Sequence, residues 1–274
     1  MRSAVLWSAV LLAVSVTGCD RAGSGSRDAK RVDLVVFAAA STSDVLEELR
    51  APFEAAHPAH LVFNFGSSGD LARQILAASA ADAFVSADPV EMDRVAAARR
   101  VVTDTRRDLV SNQLVVIEPV DPAAPASSRF HDPFTLDQLR DASIGRLSLA
   151  NPESVPAGRY AKAWLDSKGA WPDLAARVVP AVDVRAALAA VESGAAPAGI
   201  VYRTDAARSN KVRVVHRVPL AEGPRIVYVA AAITERPHTN LARAWVDALA
   251  GEDARAAFDR AGFVPLESPA ATGR

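Results

Sequence analysis

The feature that most restricts the fold of this chain is a repeated switch between β-branched runs and helically spaced apolar residues. Residues 32–37 (VDLVVF) are a strand candidate, and Val45, Leu46, Leu49 and Phe53 follow at helical spacing. Residues 61–65 read as a second strand, Leu71, Ile75 and Leu76 as a second helix, and residues 83–85 as a third strand. Pro89 opens a third helix at a position where its missing N–H does no harm. Residues 113–117 (QLVVI) form another strand, and 119–133 are turn-rich. The pattern then resumes with a strand at 147–149, a helix near 158–168 closed by Gly169, a strand at 178–179, a helix near 184–192 closed by Gly194, and a strand at 198–202. Strands at 212–215 and 226–233 and helical stretches near 240–249 and 252–261 complete the chain. Strand then helix, with short connections, specifies α/β architecture on a mostly parallel sheet. A length of 274 residues fits about two domains. Two α/β halves flanking a mid-chain loop make the cleft between them the default ligand site.

Composition removes several function classes. With 31 Lys+Arg against 32 Asp+Glu, the formal net charge is −1, so this is no generally basic nucleic-acid binder. A single cysteine allows no intramolecular disulfide and no cysteine-based zinc site, and the five histidines show no HExxH pattern. Residues 1–19 read MRSAVLWSAVLLAVSVTGC. A positive Arg2 precedes a mostly apolar stretch at 4–16, too short to span a bilayer and suited to an export signal. Val16-Thr17-Gly18-Cys19 resembles a bacterial lipobox, which implies removal of residues 1–18 and acylation of Cys19. Several acyl chains would then hold the protein stably on a membrane. Residues 20–30 (DRAGSGSRDAK) read as a flexible tether, with an r.m.s. reach of roughly 18 Å.

Four loops stand out from ordinary core: Ala38-Ala-Ala-Ser41-Thr-Ser43, Gly66-Ser-Ser68-Gly-Asp70, Val155-Pro-Ala157-Gly158 and Asp183-Val184-Arg185. Each falls at a helix N-terminus, where free N–H groups and a partial positive charge suit an anion. Ser41, Ser68 and Asp183 would serve equally as plain helix caps. Enzyme signatures are missing. The Gly66 loop lacks the glycine at 70 that a G-x-S-x-G elbow needs, and no Gly-Lys-Ser/Thr follows it. A lipid-anchored serine hydrolase using Ser41 or Ser68 would need a general base within hydrogen-bond reach of that hydroxyl. A purely structural envelope lipoprotein would respond to no small ligand. The Arg99-Arg100 and Arg106-Arg107 clusters read as a solvated face, and Trp164 and Trp171 as packing residues.

At these motifs the chain resembles the periplasmic molybdate-binding proteins of ABC transporters. The resemblance runs from about residue 32 to 264 through Phe37-Ala-Ala-Ala-Ser41, Gly66-Ser-Ser-Gly69 with Leu71-Ala-Arg-Gln74, Asp82-Ala-Phe-Val-Ser-Ala-Asp88, Asn151-Pro-Glu-Ser-Val-Pro-Ala-Gly158 with Tyr160-Ala-Lys162, Asp183-Val-Arg185, and Gly199-Ile-Val-Tyr202. Six such motifs in order are far more specific than any one of them. The resemblance implies a bilobed type II periplasmic-binding fold with two mixed or parallel sheets. Lobe 1 would comprise 31–112 and 226–274 and lobe 2 113–225, with crossings near 111–114 and 223–227. It further implies an oxyanion held only by neutral donors: the hydroxyl and N–H of Ser41 and of Ser68, the N–H groups of Ala157 and Val184, and the Tyr202 hydroxyl. Gly69 stands where some members carry serine, an exchange expected to matter little because glycine allows the tight turn that aims N–H groups at an anion. Asp183 is expected to cap its helix and point away from the anion toward Arg185. The expected ligand is molybdate or tungstate, with no catalytic residue, no cofactor and no metal contact beyond the oxyanion itself. The expected partners are a permease and its ATPase, with the protein itself a lipid-anchored monomer on the periplasmic side of the membrane. Another tetrahedral oxyanion such as sulfate is the alternative ligand.

Overall fold

The computed structural model describes residues 31–78 and 80–266. The signal segment, Cys19 and the tether fall outside the described residues. Among the described residues, no helix is long and apolar enough to cross a membrane.

Two five-stranded sheets organise the chain. The first half runs β1 (Val32–Ala39), α1 (Ser43–Ala56), β2 (Ala59–Gly66), α2 (Ser68–Ala78), β3 (Ala83–Ser86), α3 (Pro89–Ala97) and β4 (Arg107–Val110). The second runs β5 (Leu114–Pro119), α4 (Leu136–Arg140), β6 (Leu147–Ala150), α5 (Pro156–Ser167), α6 (Trp171–Leu174), β7 (Val178–Ala181), α7 (Val184–Glu192), β8 (Ala198–Tyr202), α8 (Arg203–Ala206) and β9 (Val212–Arg217). The chain then returns to the first sheet with β10 (Tyr228–Ala232), followed by α9 (Thr239–Leu249) and α10 (Glu252–Arg260). Strand order is β2-β1-β3-β10-β4 in one sheet and β7-β6-β8-β5-β9 in the other. Each sheet has a parallel trio, β1 pairing with β2 and β3, and β6 with β7 and β8. Each also has an antiparallel strand beside that trio, β10 on β3 and β5 on β8. The two lobes defined by these sheets are joined by the chain at 111–113 and 218–227. The segment after α10 ties into the first joint, where Ser111 and Val264 exchange backbone hydrogen bonds of 2.7 and 2.9 Å.

Strand β1 shows why a parallel strand reads as a continuous apolar run. Leu34, Val36 and Ala38 pack on one face with Val45, Leu46 and Trp245, while Phe37 enters the other cluster with Leu71, Ile75 and Met92. Period-2 alternation thus feeds two helical layers. The short β4 was not visible in the sequence, because Arg107-Asp108-Leu109-Val110 has only two apolar residues and no alternation.

Candidate functional site

Parallel strands leave their carboxyl ends, and the loops that follow, on one edge of the sheet, where α/β proteins bind ligands. All five residues singled out above come from such ends. Ser41 follows β1, Ser68 follows β2, Ala157 and Val184 follow β6 and β7, and Tyr202 ends β8. The structure brings these five together on the lining of one cavity between the sheets. They are between 1% and 4% exposed. The cavity is tight, at about 10 Å³, which is close to the space of a single ordered water.

Three helices point their N-termini at this cavity, and each leaves its foremost N–H groups without an intrahelical acceptor. In α7 the Asp183 carboxylate accepts from Ala186 N–H at 2.8 Å, so the Val184 N–H remains. In α5 no side chain caps the helix and Pro156 has no N–H, so Ala157 carries the first free donor. In α2 the Ser67 hydroxyl accepts from Asp70 N–H at 3.1 Å and donates to its carboxylate at 2.7 Å, leaving the Ser68 N–H. Of the three cap candidates only Asp183 is a cap. Ser67 caps α2, which releases Ser68, and Ser41 sits in a 3-10 turn (Ala40–Thr42) with its hydroxyl 2.9 Å from that of Tyr228.

The hydroxyls are arranged as donors toward the cavity. Ser68 Oγ accepts the Ala87 N–H at 3.0 Å, which leaves its own proton for a ligand. Tyr202 is 1% exposed, and its hydroxyl has no hydrogen-bond partner among the described residues. An unpaired buried hydroxyl costs about 1–3 kcal/mol, a cost that a ligand acceptor would remove. Burial, with Tyr228, Tyr160 and Asp205 nearby, holds the Tyr202 phenol well above its ordinary range, so it remains protonated. Neither Ser41 nor Ser68 is hydrogen-bonded to a histidine or carboxylate, so neither hydroxyl has the base that a serine nucleophile needs.

Two expectations are corrected in their physics. Arg185 does not turn to Asp183. Its Nη2 donates to Asp44 at 2.6 Å, and its Nε lies 2.8 Å from Asp205 Oδ1, a charge contact without hydrogen-bond alignment. Gly69 does not serve a tight turn, since it is helical in α2. A Cβ there would lie 2.1 Å from the carbonyl oxygen of Ser154 in the other lobe, so glycine is required for the lobes to approach this closely. Gly158 plays the matching part within its own lobe, where a Cβ would lie 1.9 Å from the Ala150 carbonyl oxygen at the end of β6.

The remaining motif acids hold the frame. Asp82 accepts from Val35 N–H at 2.8 Å and from Arg236 Nε at 3.0 Å, and Asp88 caps α3 through Val90 N–H at 2.7 Å. Among the described residues, no cluster of three or more His, Cys, Asp or Glu could hold a metal ion.

A two-lobed α/β protein whose compact, cation-free cavity lies between its sheets is a solute-binding protein in form. Residues 34–264 match the family of bacterial extracellular solute-binding proteins, and the chain belongs to that family. It is 37% identical over 262 residues to the molybdate-binding protein ModA of Escherichia coli (strain K12), covering 94% of this chain and 96% of that protein. It is 32% identical over 250 residues to the putative ABC transporter substrate-binding lipoprotein YvgL of Bacillus subtilis (strain 168), covering 90% and 92%. The solved periplasmic molybdate-binding protein of Azotobacter vinelandii shares the fold, with a TM-score of 0.74 at 23% identity over 85% of this chain and all of that one.

Proposed function

We propose that this protein captures molybdate, and tungstate with it, in the cavity between its lobes and hands it to an ABC importer. The observation that carries this reading is that Tyr202, whose buried hydroxyl has no partner among the described residues, lines one cavity with three helix N-termini and with no Lys or Arg. A fully deprotonated tetrahedral dianion offers acceptors only and satisfies such a set of donors without the desolvation of a buried Lys or Arg. The likeness to the E. coli molybdate-binding protein supports the ligand, and the likeness to the B. subtilis ABC transporter substrate-binding lipoprotein supports the transport role.

In this reading the ligand contacts are the hydroxyls and N–H groups of Ser41 and Ser68, the N–H groups of Ala157 and Val184, and the Tyr202 hydroxyl. Lobe 1 is 31–112 with 226–274, and lobe 2 is 113–225. Cys19 carries the lipid that keeps a monomer at the outer face of the membrane beside its permease and ATPase. Closure over the anion creates the surface that the permease reads.

A thermal-shift panel of molybdate, tungstate, sulfate, phosphate and chromate, with NaCl as control, tests the reading. Ligand at about 100 times its Kd adds roughly 2.7 kcal/mol of stability, or about 5–10 °C for a chain of this size. A shift of that size with molybdate and tungstate is the expected result. A shift with sulfate alone would replace the ligand, and no shift with any oxyanion would overturn the reading.

A further inference from the structure

The two serines on the first-lobe wall of the cavity reach the same hydrogen-bonding state by different routes. Ser68 Oγ receives the Ala87 N–H, a group that can only donate, so its own hydrogen faces the cavity. Ser41 Oγ lies 2.9 Å from Tyr228 Oη, a distance that leaves the direction of donation open. The direction is set one residue further back. Asn112 Oδ1 accepts from Gln113 N–H at 2.8 Å, which turns its Nδ2 toward Thr204 Oγ1 at 2.9 Å and Tyr228 Oη at 3.3 Å. An amide nitrogen only donates. Tyr228 Oη therefore accepts from Asn112, and its own proton goes to Ser41 Oγ, the acceptor within reach in a fully buried setting where an unpaired proton is costly.

We propose that Asn112 and Tyr228 are positioning residues that lock the Ser41 hydroxyl as a donor into the cavity and so make the site reject anions that carry a proton. This rests on the oxyanion reading above. Asn112 lies in the segment joining β4 to β5, and Tyr228 is the first residue of β10. The relay thus runs from both joints between the lobes to one ligand-facing hydroxyl. A dianion with four bare oxygens meets hydrogens from Ser41, Ser68 and Tyr202. A hydrogen phosphate must place its O–H against that same wall of hydrogens and finds no acceptor among these hydroxyls. Asp183, the carboxylate on the lining, caps α7 with its Oδ1 on the Ala186 N–H and is not part of that wall of hydroxyls. The selectivity is therefore written outside the contact residues, in the side chains that orient them.

Titration calorimetry with molybdate, and displacement of molybdate by inorganic phosphate near neutral pH, decides it on wild type, Tyr228→Phe and Asn112→Asp. Tyr228→Phe frees Ser41 Oγ to rotate and accept. Molybdate affinity is expected to fall about three- to tenfold, the worth of one hydrogen bond, while the preference for molybdate over phosphate narrows by at least about tenfold. Asn112→Asp reverses the relay, since a carboxylate takes the Tyr228 proton and Ser41 must then donate to Tyr228. It is expected to weaken molybdate more than Tyr228→Phe does. If Asn112→Asp lowers the melting temperature of the unliganded protein too far for titration, Tyr228→Phe carries the test alone. An equal loss for both anions, or no loss for either, would show that Tyr228 merely packs and would overturn the inference. Wild type that fails to bind molybdate would overturn the oxyanion reading itself, which is a separate result.

Discussion

The cavity and its rim treat charge in opposite ways, although their residues are neighbours in sequence. The cavity wall offers hydroxyls and backbone N–H groups, and its one carboxylate, Asp183, is held by a helix N-terminus. One to three residues away the charges are dense. Asp44 follows Ser41 at the start of α1, Arg185 follows Val184, Arg159 follows Ala157, and Asp88 follows Ala87. These charges bridge the lobes. Arg159 of α5 donates to Glu91 of α3 at 2.9 Å and lies 3.2 Å from Asp88. Arg185 of α7 and Arg208 reach Asp44 of α1 at 2.6 and 2.7 Å. An arginine inside the cavity would have to be stripped of water and would attract any anion, protonated or not. At the rim Arg159, Arg185 and Arg208 reach across the cleft to Asp88, Glu91 and Asp44 of the other lobe, and Arg185 also keeps Asp205 of its own lobe beside it. Charge thus spans the cleft, and neutral donors line the cavity.

The largest effect should come from breaking the neutrality of the wall. Ser68→Asp would put a carboxylate against the anion. Two like charges about 4 Å apart at an effective dielectric of 20 repel by about 4 kcal/mol, so molybdate affinity is expected to fall by about 10³-fold or more in calorimetry. A charge removed at the rim should do far less. Asp44→Asn loses partly exposed pairs and is expected to weaken binding by no more than about fivefold. Similar losses for the two variants would abolish the distinction. Next in size is the junction of the two regions. Gly69→Ala drives a Cβ into the Ser154 carbonyl across the lobes. Overpacking costs about 1–3 kcal/mol, so affinity should fall about tenfold to a hundredfold.

Much of the fold was legible because its signals are local. β-Branched runs marked the parallel strands, and Gly169 and Gly194, both with positive φ (65° and 72°), marked where α5 and α7 stop. The two helix-start loops containing Ala157 and Val184 were likewise readable, since proline and aspartate are N-terminal signals. What sequence could not give was direction and distance between lobes. Nothing in Gly66-Ser-Ser-Gly69 tells which serine caps the helix and which receives the Ala87 N–H. The clash that Gly69 avoids is with Ser154, 85 positions later. Arg185 sits two residues after Asp183, which suggested a local pair, but its partners Asp44 and Asp205 are placed by tertiary packing. Tyr228 and Asn112 were missed altogether, because a lone tyrosine or asparagine in an apolar stretch carries no motif.

Tyr202→Phe sharpens the recognition side, since it should move stability and affinity in opposite directions. The hydroxyl has no partner among the described residues. Its removal is expected to raise the stability of the unliganded protein by up to about 1 kcal/mol, read from urea denaturation. Molybdate, having lost one donor, should bind about tenfold more weakly. A loss of unliganded stability instead would mean that the hydroxyl is satisfied without ligand, and the argument for a waiting donor would fail.

The smallest expected effect on affinity, and the sharpest test of the rim, concerns Asp205. Burial pushes its carboxyl up to about 7 despite the Arg185 guanidinium, with Asp183 and Asp44 adding to the rise. An unfolded aspartate releases its proton near 4. Between about pH 4 and pH 7 the folded protein therefore holds a proton that the unfolded chain has lost. The stability this group contributes is full below about pH 4, declines as pH rises toward 7, and is level above that. Urea denaturation of wild type and Asp205→Asn across this window should differ in slope, the wild type losing more stability as pH rises. Molybdate affinity should change less than about threefold, because Asp205 lies behind Arg185 and not on the cavity wall. Identical slopes would mean that Asp205 is ionised throughout the window. The Arg185 contact would then be a full ion pair, and the clamp would join Asp44, Arg185 and Asp205 as one charged unit.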